Sequence, residues 1–483
     1  MRLFVSVLMM TIGVGQLVGC FEAEEQDGNE PASSTGGGEE SPLEFRVTSS
    51  DDVVWLGVFD RPTSSNAPDG EVGSGYISYT LSGLSPAQST KSLRPSIIRT
   101  QGAWSQLRSM LAHRILPTIR SSDLTCSASC ASGEFCIRGE CASQHSLSLL
   151  ASESATLSGE FYESFDTGVA GLSVTLVVDA TLSEAEKESV AAATERFARE
   201  FERIVGLLGI DALIGDANAD ATLLVVATSQ TVGPLGSDTI GWFNPEDWDG
   251  AATSGNYADI LWLRPSDSSA FAQQVGTLVH EYFHLVGFAA RRTRGEAEPE
   301  ALWLDEAMAH AFEDFSGWGS SNISTVEEGL MSFSETALAS GDDTLAQRGI
   351  GYTFIRYLID QSARSAGAQT AGDSQVDAAV TQFYSSILNS GQRGWLHSQF
   401  ATIEDRELRG WLRALLGASE GYLSPQRGDT DQLVGFDPFG QFPAAEGFDV
   451  YFEGPQFEEL GPSDGAYEGF VAESGWNVLQ ISG

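Results

Sequence analysis

Lysine is nearly absent from this 483-residue chain, which contains only Lys91 and Lys187. Arginine therefore supplies almost all of the positive charge, and 26 basic residues against 67 acidic ones leave a formal net charge of -41. A field of this sign repels nucleic acid and anionic lipid surfaces, so we expect no nucleic-acid partner. Such a charge is typical of a protein that stays soluble outside the cell.

The sequence also lacks the motifs of several other enzyme classes. It contains no G-x-S-x-G nucleophile motif, no phosphate-binding P-loop and no cysteine that reads as an unpaired nucleophile. Beyond the N-terminus, no stretch is apolar enough to cross a membrane. These absences argue against a hydrolase of the serine or cysteine nucleophile type and against a P-loop nucleotide-binding protein.

The N-terminus has the pattern of an export signal over residues 1–19. Arg2 precedes an apolar run over residues 3–14, which is too short to span a bilayer comfortably. The run ends in Leu17-Val18-Gly19-Cys20, which resembles the lipobox of bacterial lipoproteins. The resemblance implies cleavage before Cys20 and a lipid on its sulfur. An ordinary signal peptide with a chance cysteine is the alternative.

The residues after Cys20 indicate how the mature chain would be placed. Position 21 is Phe rather than the Asp that favours inner-membrane retention, so we expect an outer-membrane anchor. Residues 20–42 are rich in Glu, Gly and Ser without apolar periodicity, which predicts a disordered tether. The expected product is an exported monomer whose membrane contact is the lipid.

The remaining four cysteines lie within 16 residues of each other, at Cys126, Cys130, Cys136 and Cys141. An even count at close spacing in an exported chain predicts two disulfides, whose pairing the sequence leaves open. The alternative is a four-cysteine zinc site, but the spacing C-x3-C-x5-C-x4-C lacks the usual C-x2-C pair.

Hydrophobic patterning divides the body of the chain into four regions. We expect a β-leaning accessory region over 43–120, a disulfide-rich cluster over 121–142, a catalytic domain over 143–425 and a β-rich segment over 426–483. Within the catalytic domain, strands come first and helices after, which favours an α+β fold. The predicted strands are 172–178, 222–228 and 260–263; the predicted helices are 183–208, 268–289, 301–315, 325–339 and 351–365, and 241–245 is read as a loop.

The central motif is His280-Glu281-Tyr282-Phe283-His284. Residues i and i+4 share one face of a helix, so the two imidazoles can bind one metal ion. Glu281 lies beside them, near enough to act on a water at that ion. An ordinary buried helix with satisfied histidines is the alternative.

The third ligand distinguishes two metallopeptidase patterns. The metzincin pattern fails, because Ala290 stands where its third histidine is required. Downstream, Trp303-Leu304-Asp305-Glu306-Ala307-Met308-Ala309 resembles the W-L-N-E-x-x-A segment of gluzincins, with Asp305 in place of Asn. The segment from about 170 to 365 is similar to the hyicolysin-type neutral metallopeptidases. The resemblance implies a thermolysin-like catalytic domain with Glu306 as the third zinc ligand.

The resemblance further implies zinc-dependent hydrolysis of a protein or peptide, with Glu281 as general base. The oxyanion donor would be Tyr352, or failing that Tyr357, although both fit ordinary helix packing equally well. Asp305 and Asp314 are candidates to orient the histidines, and His310 is a candidate to approach the site. The alternative function is a non-catalytic surface lipoprotein whose degenerate metallopeptidase domain binds a partner.

A calcium site is the weaker metal hypothesis. Asp and Asn alternate over residues 216–220, as in the loop that precedes the first core strand of the resembling family. Read as a calcium loop, however, it has Ala221 and Ala227 where Gly and Glu are needed. We therefore expect a single catalytic zinc ion, with calcium as the weaker alternative.

Overall fold

The fold is taken from a computed structural model. It describes residues 130–149, 156–210, 221–230, 239–248, 255–265, 271–294, 302–319, 322–331, 344–370 and 372–388, together with Cys126, Trp411, Ala414 and the backbone of short strands towards both ends of the chain. Cys20, the predicted tether at 20–42 and the Asp/Asn stretch at 216–220 lie outside the described residues, so their predictions stay predictions.

The described elements include helices and strands drawn from most of the chain. The strands are β1 (Leu43–Thr48), β2 (Val54–Asp60), β3 (Ser78–Thr80), β4 (Thr90–Ser92), β5 (Phe135–Ile137), β6 (Glu140–Ala142), β7 (Gln144–Ser148), β8 (Thr156–Asp166), β9 (Ser173–Asp179), β10 (Thr222–Ala227), β11 (Gly241–Phe243), β12 (Asp259–Leu263), β13 (Gln426–Arg427), β14 (Leu433–Val434), β15 (Gln456–Glu459), β16 (Ala466–Val471) and β17 (Trp476–Ser482). The helices are α1 (Glu184–Leu208), α2 (Pro245–Trp248), α3 (Phe271–Thr293), α4 (Leu302–Phe315), α5 (Asn322–Met331), α6 (Leu345–Ser365) and α7 (Ser374–Leu388).

A six-stranded mixed sheet with the order β11-β12-β10-β9-β8-β7 organises the central region. Its middle strands β9, β10 and β12 are parallel, and they are short apolar runs rich in β-branched residues, as expected for strands covered on both faces. β7, β8 and β11 pair antiparallel and flank this centre. The mixture of helix and sheet expected from the sequence is confirmed.

Alternate residues of the middle strands face two different clusters. On one side, residues such as Val174, Leu223 and Leu261 pack against the helices in one hydrophobic cluster. On the other side, Val226 and Trp262 pack with side chains of the cysteine-rich hairpin in a second cluster. We call these the helix face and the hairpin face of the sheet.

Helix α1 links β9 to β10 and has clear signals at both ends. Ser183 and Glu186 form a reciprocal capping box at its start, and Gly209 adopts the left-handed conformation at its end with φ 63°. Its buried residues, which include Phe197 and Phe201, pack on the helix face.

Helices α3 and α4 lie in the interior and carry the polar residues of interest. Val275, Leu278 and Val286 bury α3 in the helix-face cluster, and the Tyr384 hydroxyl of α7 donates a 2.8 Å hydrogen bond to the carbonyl of Met308 in α4. Polar groups on these helices are therefore removed from water, which strengthens electrostatic interactions between them.

The cysteine-rich hairpin β5–β6 covers the hairpin face. Disulfides join Cys126 to Cys136 and Cys130 to Cys141, which gives the pairing that the sequence left open. All four sulfurs are used, so the alternative of a four-cysteine zinc site is wrong. The Arg138 side chain donates a 2.8 Å hydrogen bond from Nε to the carbonyl of Gly255, and so fastens the hairpin to the loop before β12.

Strands from the two ends of the chain pair with each other in two compact units. One unit comprises Met1–Ser50, Ile77–Ser92 and Ser463–Ser474, and its strands pair as β1 with β16 and as β3 with β4. The other unit contains the central region and a three-stranded sheet of order β15-β2-β17. Among the described residues, no helix is both long and apolar enough to cross a bilayer.

Several element boundaries differ from the sequence predictions. The segment at 241–245 is not a loop, because Gly241–Phe243 pairs with β12 and a short helix follows at Pro245–Trp248. The helix predicted at 325–339 is described at Asn322–Met331, and the helix predicted from 351 begins at Leu345, where Thr344 caps it. β7, β8 and α7 were not predicted.

Candidate metal centre

Helix α3 places His280 and His284 one turn apart on the same face, as the sequence spacing predicts. The two residues are 7% and 3% exposed, and their Nε2 atoms lie 3.0 Å from each other. Glu281, the proposed base, is also buried. The helix therefore holds two imidazoles with adjacent nitrogens in a site largely closed to water.

Helix α4 brings Glu306 to the same point. One carboxylate oxygen of Glu306 lies 3.3 Å from His280 Nε2, and the other lies 3.6 Å from His284 Nε2. Glu306 is 2% exposed, so its charge is removed from bulk water. His280, His284 and Glu306 thus offer three donor atoms within bonding range of a shared ion.

The separations between these donor atoms suit zinc. A tetrahedral zinc ion with bonds of about 2.0–2.1 Å separates its ligand atoms by about 3.3 Å. The observed separations of 3.0, 3.3 and 3.6 Å scatter around that value. Two imidazoles and one carboxylate are also the donor set of catalytic zinc sites that leave a fourth position open. The residues present therefore fit a zinc ion.

A hydrogen bond fixes which ring nitrogen of neutral His280 carries the proton. His280 Nδ1 lies 2.7 Å from Glu313 Oε1, and an ionised carboxylate can only accept, so Nδ1 donates and Nε2 keeps its lone pair. His284 Nδ1 lies 3.2 Å from Asp305 Oδ2, in ion-pair range but without the geometry of a hydrogen bond. The Nε2 atoms of both rings face each other and the Glu306 carboxylate. Such an arrangement is unfavourable unless a cation or a shared proton lies between them.

The surrounding charges favour a cation at this point. Burial lowers the pKa of His280, but the hydrogen bonds of Glu306 and Glu313 outweigh burial and raise it to about 10. Burial likewise raises the pKa of Glu313, and the neighbouring His310 and His280 outweigh it and lower that pKa to about 2. The pocket therefore stabilises added positive charge, and a divalent ion supplies more of it than a proton.

Two arginines border the acidic groups. Arg348 of α6 places a guanidinium nitrogen 3.1 Å from Glu306 Oε2, and an Arg291 nitrogen lies 3.9 Å from Asp305 Oδ1. Sequence reasoning did not identify Arg348, which is brought to Glu306 only by the packing of α6 against α4. Its charge limits how much excess negative charge the three ligands retain.

The other predicted site residues have mixed placements. Asp305 lies beside His284, the position of an orienting carboxylate. Asp314 does not contact either ligand histidine in this way; it accepts a 2.8 Å hydrogen bond from the Tyr352 hydroxyl and pairs with Arg356. Tyr352 is therefore engaged with Asp314 in the helix packing, which disfavours it as oxyanion donor, and Tyr357 lies in the helix-face cluster.

Glu313, rather than Asp314, is the carboxylate that faces His280. It follows Glu306 by seven residues on α4, and His310 lies between them at the intervening turn. Positions i, i+4 and i+7 share one helix face, so the spacing of Glu306, His310 and Glu313 was a readable signal. The sequence analysis named the adjacent Asp314 instead and did not consider Glu313.

The edge strand β11 lies against the α3 residues next to the metal centre. A Cβ atom on Gly241 would lie 2.4 Å from Thr277 Cγ2, 2.9 Å from the Trp262 carbonyl and 3.5 Å from Glu281 Cγ. Only glycine permits this approach, because the Trp262 contact is with backbone and cannot rotate away. Glu281 is thereby placed beside a strand that ends the described sheet.

The sequence matches no family profile and no curated protein. Among solved structures, the chain is similar to an aminopeptidase N family protein from Idiomarina loihiensis, at 11% identity and a TM-score of 0.31, over 55% of this chain and 44% of that one. It is also similar to an M1 zinc metallopeptidase from Deinococcus radiodurans, at 13% identity and a TM-score of 0.28, over 52% and 51% of the two chains.

A third solved structure, a two-domain M1 zinc metallopeptidase bound to L-arginine, is similar at 12% identity and a TM-score of 0.28, over 53% and 51% of the two chains. The chain spans about half the length of these proteins or less. With scores this low, the likeness by itself assigns neither a family nor an activity to the chain.

Proposed function

We propose that this protein is a zinc-dependent peptide hydrolase whose metal ligands are His280, His284 and Glu306. One observation carries the proposal: the Nε2 atoms of both histidines and the Glu306 carboxylate converge within 3.0–3.6 Å of each other. Two imidazoles and a carboxylate at this spacing favour a shared cation, and these donor types are those that zinc prefers.

Zinc bound by these residues supplies a Lewis acid that polarises a carbonyl group and makes a nearby water acidic near neutral pH. Glu281 then acts as general base. It follows His280 directly on α3 and is buried next to the ligand histidines in the sequence of that helix. From there it accepts the proton of the attacking water and passes it to the departing amine.

The Asp305 and Glu313 carboxylates complete the arrangement. Glu313 accepts a hydrogen bond from His280 Nδ1 and so holds that imidazole with its Nε2 towards the centre, and Asp305 lies 3.2 Å from His284 Nδ1 on the corresponding side of the second ring. Partners of this kind raise the basicity of ligand histidines and fix their rings. Arg348 beside Glu306 holds the third ligand in place.

A peptide substrate suits the strand next to this centre. β11 is the end strand of the described sheet and approaches Glu281 closely at Gly241. We propose that an extended peptide pairs with the edge of β11 that β12 does not occupy, which would carry the peptide backbone past Glu281. We further propose that a lipid on Cys20 attaches the enzyme to a membrane; that residue lies outside the described part of the chain.

The substitution Glu281→Gln removes the proposed base and leaves all three proposed metal ligands in place. We expect the variant to bind zinc as the wild type does and to lose about 10²–10⁴-fold in casein digestion, because the amide cannot accept the proton. Glu188→Gln, an exposed residue of α1, is the matched control and should be fully active. Bound metal is measured by elemental analysis.

Two results contradict the proposal. One is a purified wild-type protein that takes up no zinc at equimolar concentration. The other is a Glu281→Gln variant that digests casein at the wild-type rate.

A further inference from the structure

His310 lies on α4 between Glu306 and Glu313 and takes no part in the proposed catalysis. It is 9% exposed, and its ring centroid lies 4.7 Å from that of His280. Buried imidazoles are costly unless their polar atoms are used. The hydrogen bonding of its two ring nitrogens therefore shows what His310 contributes.

Asn322 at the start of α5 settles the orientation of His310. The Asn322 amide nitrogen donates a 2.8 Å hydrogen bond to the backbone carbonyl of His310, which can only accept. The amide oxygen is then the atom that lies 2.8 Å from His310 Nδ1, so Nδ1 must carry a proton. Nε2 has no hydrogen-bond partner among the described residues.

The same proton-bearing Nδ1 lies 3.0 Å from Glu313 Oε1. That oxygen is also the acceptor for His280 Nδ1, at 2.7 Å. Glu313 therefore bridges two imidazoles through one oxygen, with His280 on one side and His310, held by Asn322, on the other.

We infer that His310 and Asn322 are positioning residues for the metal centre. His310 Nδ1 restrains Glu313 so that its Oε1 accepts from His280, which keeps the His280 Nε2 lone pair directed at the metal; Asn322 in turn keeps Nδ1 of His310 as the donor. This inference rests on the proposed zinc site, and it concerns metal affinity rather than the chemical step.

A second metal ion between His280, His310 and Glu313 is the competing interpretation, since these residues offer donor atoms within 4.8 Å of one another. The hydrogen bonds argue against it. Nδ1 of both histidines is protonated towards Glu313 or Asn322, and a protonated nitrogen cannot bind a metal. Because Nε2 of His280 faces the first site, a second ion would have to bind His280 through Nδ1, displace its proton and break the contact with Glu313 that orients the ring.

Two substitutions at position 310 distinguish the contribution of Nδ1 from that of Nε2. The amide nitrogen of His310→Asn stands close to where Nδ1 was, whereas that of His310→Gln stands nearer to Nε2. We expect His310→Gln to weaken zinc binding about 10–100-fold, the range for loss of an outer partner of a ligand histidine, and His310→Asn to keep nearly all of it. The dissociation constant is measured by competition with a chromophoric chelator, with zinc as the probe.

Asn322→Ala supplies an independent arm, should a substitution at 310 prevent folding. It removes the contact that fixes the tautomer and should also weaken zinc binding, by less than His310→Gln. The cobalt(II)-loaded forms give a second readout, because the visible spectrum reports ligand geometry without requiring turnover. Wild-type zinc stoichiometry should be one.

The inference is overturned if His310→Gln and Asn322→Ala bind zinc as tightly as the wild type. It is equally overturned if the wild type binds two zinc ions and His310→Asn binds one, because His310 would then be a ligand. If the wild type binds no zinc at all, the proposed function itself fails, which is a separate result.

Discussion

The two faces of the central sheet handle buried polar groups in opposite ways. On the hairpin face, the buried Asp247 carboxylate accepts hydrogen bonds from the backbone and side chain of Asn256 and from the Trp262 indole, at 2.7–3.1 Å. On the helix face, the Glu306 carboxylate lies 3.3–3.6 Å from the Nε2 atoms of His280 and His284 and pairs with Arg348. The buried acid of the hairpin face is held by neutral hydrogen-bond donors, whereas that of the helix face lies among groups that can bind a metal ion.

This difference locates stability and function on opposite sides of the same strands. The hairpin face is closed by two disulfides and an apolar cluster that includes Phe135 and Leu147. The helix face retains acceptors that a metal can use. Changes to the helix face should therefore affect metal binding and activity most, and changes to the hairpin face should affect stability.

Removing the metal should have the largest effect. A chelator should abolish peptide hydrolysis and lower the free energy of unfolding, by about 4 kcal/mol if free zinc was 1,000 times the dissociation constant. Calorimetric unfolding with and without zinc measures this. His280→Ala, which already lacks a ligand, should show little response to the chelator; a response equal to that of the wild type would contradict the assignment.

Removing a disulfide should act on the other face. Replacing Cys130 and Cys141 together by serine should cost about 2–4 kcal/mol of stability, because the unfolded chain is less constrained. The zinc dissociation constant should change less than about threefold, because changes at distant, independent sites barely affect each other. A loss of zinc binding in the folded variant would show that the two faces are not independent.

The sequence predicted elements whose signals are local. β9, β10 and β12 are continuous apolar runs, and α1 is long and strongly amphipathic, so each was found within a few residues. β11 was missed because three residues, Gly241–Phe243, are too few for a periodic signal. It is a strand only because it pairs with β12, and that pairing depends on how distant parts of the chain pack.

In the candidate site too, the sequence predicts what depends on one helix and misses what depends on packing between helices. The spacing of His280 and His284 predicts their shared face, because i and i+4 is a property of the helix alone. Glu306 came from resemblance, and its distance to the histidines depends on how α4 packs on α3. The i+7 spacing of Glu313 from Glu306 was readable in the sequence, but only the packing of α4 on α3 shows that Glu313 meets His280. Arg348 depends wholly on such packing, so sequence reasoning could not find it.

Gly241→Ala tests the contact of β11 with the helix face. The added methyl group would meet Thr277 and the Trp262 carbonyl, so β11 must move away from Glu281. We expect kcat/KM for peptides to fall about 10–100-fold, since a small misplacement near the reacting groups is costly. Zinc content should stay at the wild-type level. Gly206→Ala, where a Cβ meets nothing nearby, is the control.

A variant with unchanged kcat/KM would show that β11 does not guide the substrate. A variant that loses zinc would show instead that the strand supports the ligands, and the two outcomes are distinguished by elemental analysis.

On the hairpin face, Asp247 should make a smaller contribution to stability, and one that depends on pH. Burial raises its pKa to about 7, against the hydrogen bonds of Trp262 and Asn256, which lower it. Between about pH 4 and pH 7 the folded protein therefore binds more protons here than the unfolded chain, so this carboxyl's contribution to stability falls as pH rises. In Asp247→Asn, the free energy of unfolding should lose that part of its pH dependence. An unchanged slope would contradict the raised pKa.

The central claim is that three side chains from two helices bind one zinc ion. X-ray diffraction from crystals of the zinc-loaded protein, with anomalous data at the zinc edge, tests it most directly. We predict one strong anomalous peak bonded at about 2.0–2.2 Å to His280 Nε2, His284 Nε2 and a Glu306 oxygen. A peak elsewhere with these three side chains unliganded, or no peak in the presence of equimolar zinc, would contradict the account.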